Sequence, residues 1–107
     1  EEAAIVGESL AGLFVLETFF VEPELFDTYV ALDPSLWWSD EALVRSAAAR
    51  LVAQPPRGKA VYVASSREPT LATLAERLAG ILAAHHHAGF SSHYERFAGE
   101  SHGTLYH

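Results

Sequence analysis

The chain has 107 residues, half of them hydrophobic, which is enough for one domain with a hydrophobic core. Its formal net charge of −7 argues against nucleic-acid binding. It contains no cysteine, which excludes disulfides and thiol catalysis and leaves the compartment open. No apolar run reaches the ~20 residues that a membrane span needs, and the chain opens on two acidic residues instead of the basic start of a signal peptide.

Short apolar runs alternate with longer helix-like ones along the whole chain. The runs typical of strands are 3–6, 28–32, 60–64 and 92–97, and the patterns typical of helices are 10–21, about 40–53 and about 70–87. Strands that alternate with helices predict an α/β fold with a parallel sheet and right-handed crossovers. Because nothing resembles a linker or a repeat, we expect a single domain over residues 1–107.

The first predicted strand runs straight into a serine among small residues. Gly7 stands two positions before Ser9, and Ala11 and Gly12 follow it. At a tight strand-to-helix turn such a serine presents its hydroxyl as a nucleophile, and the backbone N–H of Leu10 becomes a donor to an oxyanion. The alternative is that Ser9 only caps the following helix, a position that serine favours.

Polar residues follow every predicted strand, and parallel strands bring such loops to one edge of the sheet. Besides the Ser9 turn, these loops cover residues 33–38, 65–69 and 98–103. The last contains His102 between glycines, which suits a general base for Ser9. The order serine, acid, histidine is the order found in α/β-hydrolases, so the pattern predicts an active site at this edge.

Several segments together resemble one esterase family of the α/β-hydrolases, which includes enterobactin (siderophore) esterases and relatives of S-formylglutathione hydrolase. The segments are 7–14, 23–27, the Pro-Ser-Leu-Trp-Trp run at 34–38 and 99–103. The resemblance implies a three-layer α/β-hydrolase-like parallel sheet, of which about four strands and three helices are present and the first half is absent. It also implies that Ser9 is the nucleophile and His102 the base. Glu8 and Ala11 depart from the family, which usually has histidine and glycine there.

The third catalytic residue is predicted from the position of its loop. In the hydrolase fold the acid follows the strand before the histidine strand, and Glu68 lies in that loop. The alternative is that Glu68 belongs only to the first turn of the next helix, beside Pro69. Asp33 is the second candidate acid, although the resemblance places it in the substrate pocket. Some members of the siderophore branch work with serine and histidine alone.

The pocket is predicted from the residues around these loops. We expect Ser35, Trp37, Trp38 and Arg67 to contact the substrate, with the indoles as an apolar wall. The alternatives are that one tryptophan packs under the second helix and that Arg67 pairs with Glu68.

Three consecutive histidines, 85–87, suggest a metal site at first sight. Consecutive residues of a helix point about 100° apart and cannot all meet one ion. The histidines instead favour a polar helix end that Gly89 closes. We therefore expect no metal and no cofactor.

The resulting interpretation is a serine esterase that acts on a small-molecule ester. The resemblance implies a siderophore lactone as the substrate. Without the first half of the fold one oxyanion donor is lacking, which lowers the rate about 10²–10³-fold. The alternative is a non-catalytic structural or interaction module. In either case the first strand has an exposed edge, which predicts self-association or pairing with a missing chain segment. A histidine-rich metal-binding domain is the third hypothesis.

Overall fold

The computed structural model describes residues 2–87, 89–103 and 105, and these form one α/β unit. In chain order the elements are β1 (Ala4–Glu8), α1 (Leu10–Val21), a short 3-10 helix (Pro23–Leu25), β2 (Thr28–Leu32), α2 (Trp38–Ala53), β3 (Lys59–Ser65), α3 (Pro69–Ala84) and β4 (Phe90–Arg96). The strands form a parallel sheet in the order β1-β2-β3-β4. The predicted parallel sheet of four strands with three helices is confirmed.

Two helix boundaries differ from the sequence pattern. The third helix ends at Ala84, before the three histidines, because His85 already leaves the helical conformation, with φ −112° and ψ 17°. In α2 the residues Ser39, Asp40 and Glu41 have φ between 54° and 61°, so a left-handed turn precedes the regular helix. The apolar periodicity of this segment contains no signal for that turn, since it records only which residues face the core.

The core lies between the helices and one face of the sheet. Strand residues such as Tyr29, Ala31, Val61 and Val63 alternate along this face and are almost fully buried. They pack against apolar stripes of the helices, namely Val15, Leu16 and Phe19 of α1, Leu43, Val44, Ala47 and Leu51 of α2, and Leu74, Leu78 and Leu82 of α3. These stripes recur at the spacing of one helix face, which is why the three helices form a single layer.

The opposite face of the sheet is open to solvent over most of its area. Val6, Val30 and Tyr62 are paired neighbours on this face, and Val6 is 53% exposed. The described residues thus make two of the three predicted layers. No helix among them is long and apolar enough to cross a membrane.

Candidate active site

The turn between β1 and α1 holds Ser9 in a strained conformation. Ser9 has φ 59° and ψ −122°, which an L-residue adopts only when its surroundings enforce it. Its N–H donates to Leu32 O at 2.9 Å, and its carbonyl accepts from Leu13 N and Ser35 N at 3.1 Å each. A Cβ on Gly7 would lie 2.6 Å from the carbonyl oxygen of Ala11, so only glycine allows this close approach. This is the geometry that exposes a nucleophile at a strand-to-helix elbow.

The hydroxyl of Ser9 points to other side chains and not to its own helix. Ser9 occupies the cap position of α1 but makes no side-chain capping hydrogen bond. Its Oγ lies 3.2 Å from Nε2 of His102 and 3.5 Å from Oγ of Ser35. Capping therefore does not explain the serine at this position.

The loop after β4 brings the imidazole to the serine. Backbone hydrogen bonds from Phe97 N to Ser65 O and from Arg67 N to Glu100 O tie this loop to the end of β3. The other ring nitrogen of His102, Nδ1, lies 2.8 Å from Oδ2 of Asp33. In the tautomer with the proton on Nδ1, that N–H donates to the carboxylate, and Nε2 accepts from the serine hydroxyl.

Asp33 is a buried carboxylate directly after β2, with 1% of its surface exposed. Its Oδ1 accepts from the backbone N–H of Ser66 at 2.7 Å, and its own N–H donates to Ala64 O. A buried charge needs such partners. The backbone of Asp33 has φ 45°, a left-handed conformation that aspartate tolerates better than most residues, and this turn aims the carboxylate at His102.

Glu68, the acid that the sequence predicts, has a different role in this structure. Its side chain caps α3, where Oε2 accepts from Leu71 N at 2.7 Å. The carboxyl group that contacts the imidazole of His102 belongs to Asp33. The contact with the imidazole that the sequence predicts for Glu68 is thus made by Asp33, because Glu68 is held at the helix start while Asp33 reaches the ring.

A cavity of about 390 Å³ adjoins the Ser9–His102 pair. It is lined by Ser9, Ser35, Trp37, Glu68, Thr70, Leu71 and His102. Ser35 and Trp37 thus stand where substrate contact is predicted. Arg67 lies outside this lining, and no ion pair joins it to Glu68 among the described side chains.

The two indoles diverge from the predicted arrangement. Trp37 and Trp38 are 49% and 51% exposed, so neither packs into the core. Their rings lie 5.7 Å apart and tilted by 57°. Trp38 lines a second cavity of about 520 Å³ together with Leu10, Leu13 and Phe14, whereas Trp37 lines the first.

Leu10 begins α1, and its backbone N–H belongs to the first turn, whose amides have no partner within the helix. A helix N-terminus favours negative charge. Leu10 therefore lies where one oxyanion donor is predicted.

The three histidines bind separate partners. His85 Nδ1 contacts Ile81 O, His86 Nε2 contacts Ser92 Oγ, and His87 Nδ1 accepts from Gly89 N. Within the described residues no group of three His, Asp or Glu side chains is placed to hold a metal ion.

Sequence relatives of the chain are siderophore esterases. The chain is 41% identical to the siderophore enterobactin esterase of Emericella nidulans over 44 residues. This stretch covers 41% of the chain and 14% of the relative. Over 46 residues the chain is 39% identical to the siderophore triacetylfusarinine C esterase of Aspergillus fumigatus, or 43% of this chain and 16% of the relative. The matched stretches thus span only a small part of these proteins. No protein-family model matches the chain.

Solved structures confirm the fold. The siderophore hydrolase EstB of Aspergillus nidulans superposes with a TM-score of 0.81 at 23% identity, over 99% of this chain and 44% of that one. An IroE-like serine hydrolase of Shewanella oneidensis gives 0.85 at 23% identity, over 95% and 35% of the two chains. The described residues thus have an α/β-hydrolase-like fold that matches part of these structures. The predicted resemblance to siderophore esterases is confirmed by the sequence relatives.

Proposed function

We propose that the chain carries the catalytic residues of a serine hydrolase that cleaves carboxylic esters. The observation that supports this most is the line of contacts from Ser9 Oγ to His102 Nε2 at 3.2 Å and from His102 Nδ1 to Asp33 at 2.8 Å. The strained turn at Ser9 and the esterase relatives agree with it.

The reaction is a two-step acyl transfer. His102 takes the proton of the Ser9 hydroxyl as Oγ bonds to the ester carbonyl carbon. The bond from that carbon to the alcohol oxygen then breaks, and the His102 imidazolium gives its proton to the leaving oxygen. Water attacks the acyl-serine with His102 again as base, which releases the acid and restores the hydroxyl of Ser9.

Asp33 is the proposed third member of the triad. Its carboxylate fixes the tautomer of His102 and stabilises the imidazolium that forms during each step. Because the backbone N–H of Ser66 already binds the other oxygen, the carboxylate is held in place before the reaction begins.

Leu10 N–H is the proposed first oxyanion donor. Hydrolases of this kind take a second donor from a loop after an earlier strand. We propose that this second donor comes from chain beyond these 107 residues, and that full activity depends on it. The matched portions of the solved neighbours, 35–44% of their length, are consistent with this.

Steady-state hydrolysis of p-nitrophenyl acetate tests the proposal, with siderophore lactones as the next substrates because the named relatives are siderophore esterases. Ser9→Ala is expected to lower kcat by about 10³-fold or more, since no nucleophile remains. Ser91→Ala is a matched control on the far edge strand. Equal rates for the wild-type chain and Ser9→Ala would contradict the proposal.

A further inference from the structure

The cavity beside Ser9 contains one carboxylate that the proposed triad does not use, that of Glu68. We propose that this cavity binds the alcohol portion of the ester, and that it selects alcohols that carry an alkylammonium cation. This inference rests on the proposed function and adds the class of substrate.

The side of the ester that enters this cavity follows from the position of His102. The imidazole must reach the leaving oxygen to protonate it. His102 lines the 390 Å³ cavity, whereas Leu10, which carries the proposed oxyanion donor, lines the 520 Å³ cavity. The group attached to the leaving oxygen is therefore placed in the cavity of His102. The acyl group then extends away from His102.

The preference for a cation follows from the charge of the lining. Among the described residues that line the cavity, Glu68 is the one with a formal charge when His102 is neutral. Its Oε2 accepts a hydrogen bond from Leu71 N, and no described residue donates a hydrogen bond to its Oε1. The start of α3 offsets about half a charge, which leaves the cavity net negative. The nearest cationic residue in sequence, Arg67, does not line it.

An aromatic ring complements this carboxylate. Trp37 lines the same cavity and is 49% exposed, so its indole is available to a ligand. A quaternary or alkylated ammonium group is attracted by an indole face and by a carboxylate together. An alcohol portion that carries a negative charge is repelled by the same carboxylate.

Three acetate esters of similar size test the inference. They are 2-(trimethylammonio)ethyl acetate, its uncharged carbon isostere 3,3-dimethylbutyl acetate, and 4-acetoxybutanoate. For the wild-type chain we expect kcat/KM to be about fivefold higher for the cationic ester than for the isostere, and about fivefold lower for the anionic ester, as for a partly exposed ion pair. Equal values for the cationic ester and the isostere would overturn the inference.

Glu68→Gln is the decisive variant, because glutamine keeps an oxygen that caps α3 while the charge is lost. It should bring the ratio of cationic to uncharged ester close to one. Glu76→Gln is the matched control, because it removes the same charge from the same helix. Glu76 lies outside the cavity lining and forms an ion pair of 4.0 Å with Arg96, so this variant should retain the wild-type ratio. A preference that survives Glu68→Gln would overturn the assignment to this carboxylate.

A second measurement needs no turnover. Choline should slow the labelling of Ser9 by a fluorophosphonate, 3,3-dimethylbutanol should do so at least about fivefold less well, and Glu68→Gln should remove the difference. Labelling of Ser9 without any effect of choline would overturn the inference and leave the proposed function intact. Absence of both hydrolysis and labelling would count against the proposed function itself, and the inference would fall with it.

Discussion

At the scale of single residues, Asp33 distinguishes this site from a bare serine–histidine pair. The carboxylate is buried, it accepts from Ser66 N at 2.7 Å, and it lies 2.8 Å from Nδ1 of His102. The carboxyl group of Asp33 holds the imidazole on one side while Nε2 faces Ser9 on the other. The proposed chemistry therefore depends on the identity of one side chain that the solvent does not reach.

Asp33→Asn tests this dependence. Asparagine keeps the size and can still accept from Ser66 N, but its amide favours the wrong tautomer of His102. We expect kcat for p-nitrophenyl acetate to fall about 10³–10⁴-fold with the fold retained in circular dichroism. Asp27→Asn, at the opposite end of β2, is the matched control. A loss of less than about tenfold in Asp33→Asn would show that Asp33 is not the acid.

The sequence was sufficient to predict that Ser9 and His102 lie together, because each lies in a loop with a recognisable neighbourhood of small residues. It was not sufficient to choose between Asp33 and Glu68. Both follow parallel strands at the same edge, and the choice depends on side-chain direction. Two local signals favour the observed positions: aspartate tolerates the left-handed backbone of Asp33, and a glutamate directly before Pro69 suits a helix cap.

At the scale of elements, the turn from β1 into α1 depends on one glycine. A Cβ at Gly7 would lie 2.6 Å from Ala11 O and 3.0 Å from Val15 Cγ2, so the strand and helix must separate. We expect Gly7→Ala to lower the free energy of unfolding by about 1–3 kcal/mol and to displace Ser9. Urea denaturation and ester hydrolysis measure the two effects.

Gly80→Ala is the matched control for this prediction. A Cβ at Gly80, within α3, meets no atom within 4 Å. Alanine there should raise the free energy of unfolding by about 0.5–1 kcal/mol through helix propensity. Equal effects of the two substitutions would contradict a tight elbow at Gly7.

The start of α3 allows a second test at this scale. Glu68 accepts from Leu71 N, so Glu68→Ala removes a cap and should lower the free energy of unfolding by about 1 kcal/mol. Glu68→Gln should lower it by much less, since an amide oxygen remains. If alanine and glutamine are equally destabilising in chemical denaturation, the contribution comes from charge and not from the cap.

At the scale of the whole molecule, the sheet has one covered face and one open face. The open face is apolar at Val6 and Val30, and β1 is an edge strand of the described sheet. Parallel sheets are usually covered on both faces. The predicted association through this strand stays a prediction, either with a second copy or with further chain.

Sedimentation velocity of the 107-residue chain at increasing concentration tests it. We expect reversible self-association, because β1 offers both unpaired backbone groups and apolar side chains. Val6→Lys should shift the chain toward monomer. Val52→Lys, at a valine of α2 that is 70% exposed, is the matched control. A monomer at every concentration would contradict self-association.

The architecture could be predicted from alternation alone, because strands and helices in turn leave few topologies open. The bounds of β2 agree with the pattern, and α1 begins and ends as predicted. The pattern could not show the left-handed turn at Ser39, nor that Trp37 and Trp38 stay at the surface. Both depend on how the loop after β2 crosses the edge of the sheet, and hydrophobic spacing does not record that path.

Reaction with a fluorophosphonate, followed by peptide mass spectrometry, tests most directly whether Ser9 is an activated nucleophile. It requires a single attack and no turnover, so it does not depend on the second oxyanion donor to the extent that hydrolysis does. One adduct located on Ser9, with labelling strongly slowed in His102→Ala, is the predicted result. A folded chain that stays unlabelled, or that is labelled equally fast without His102, would contradict the account.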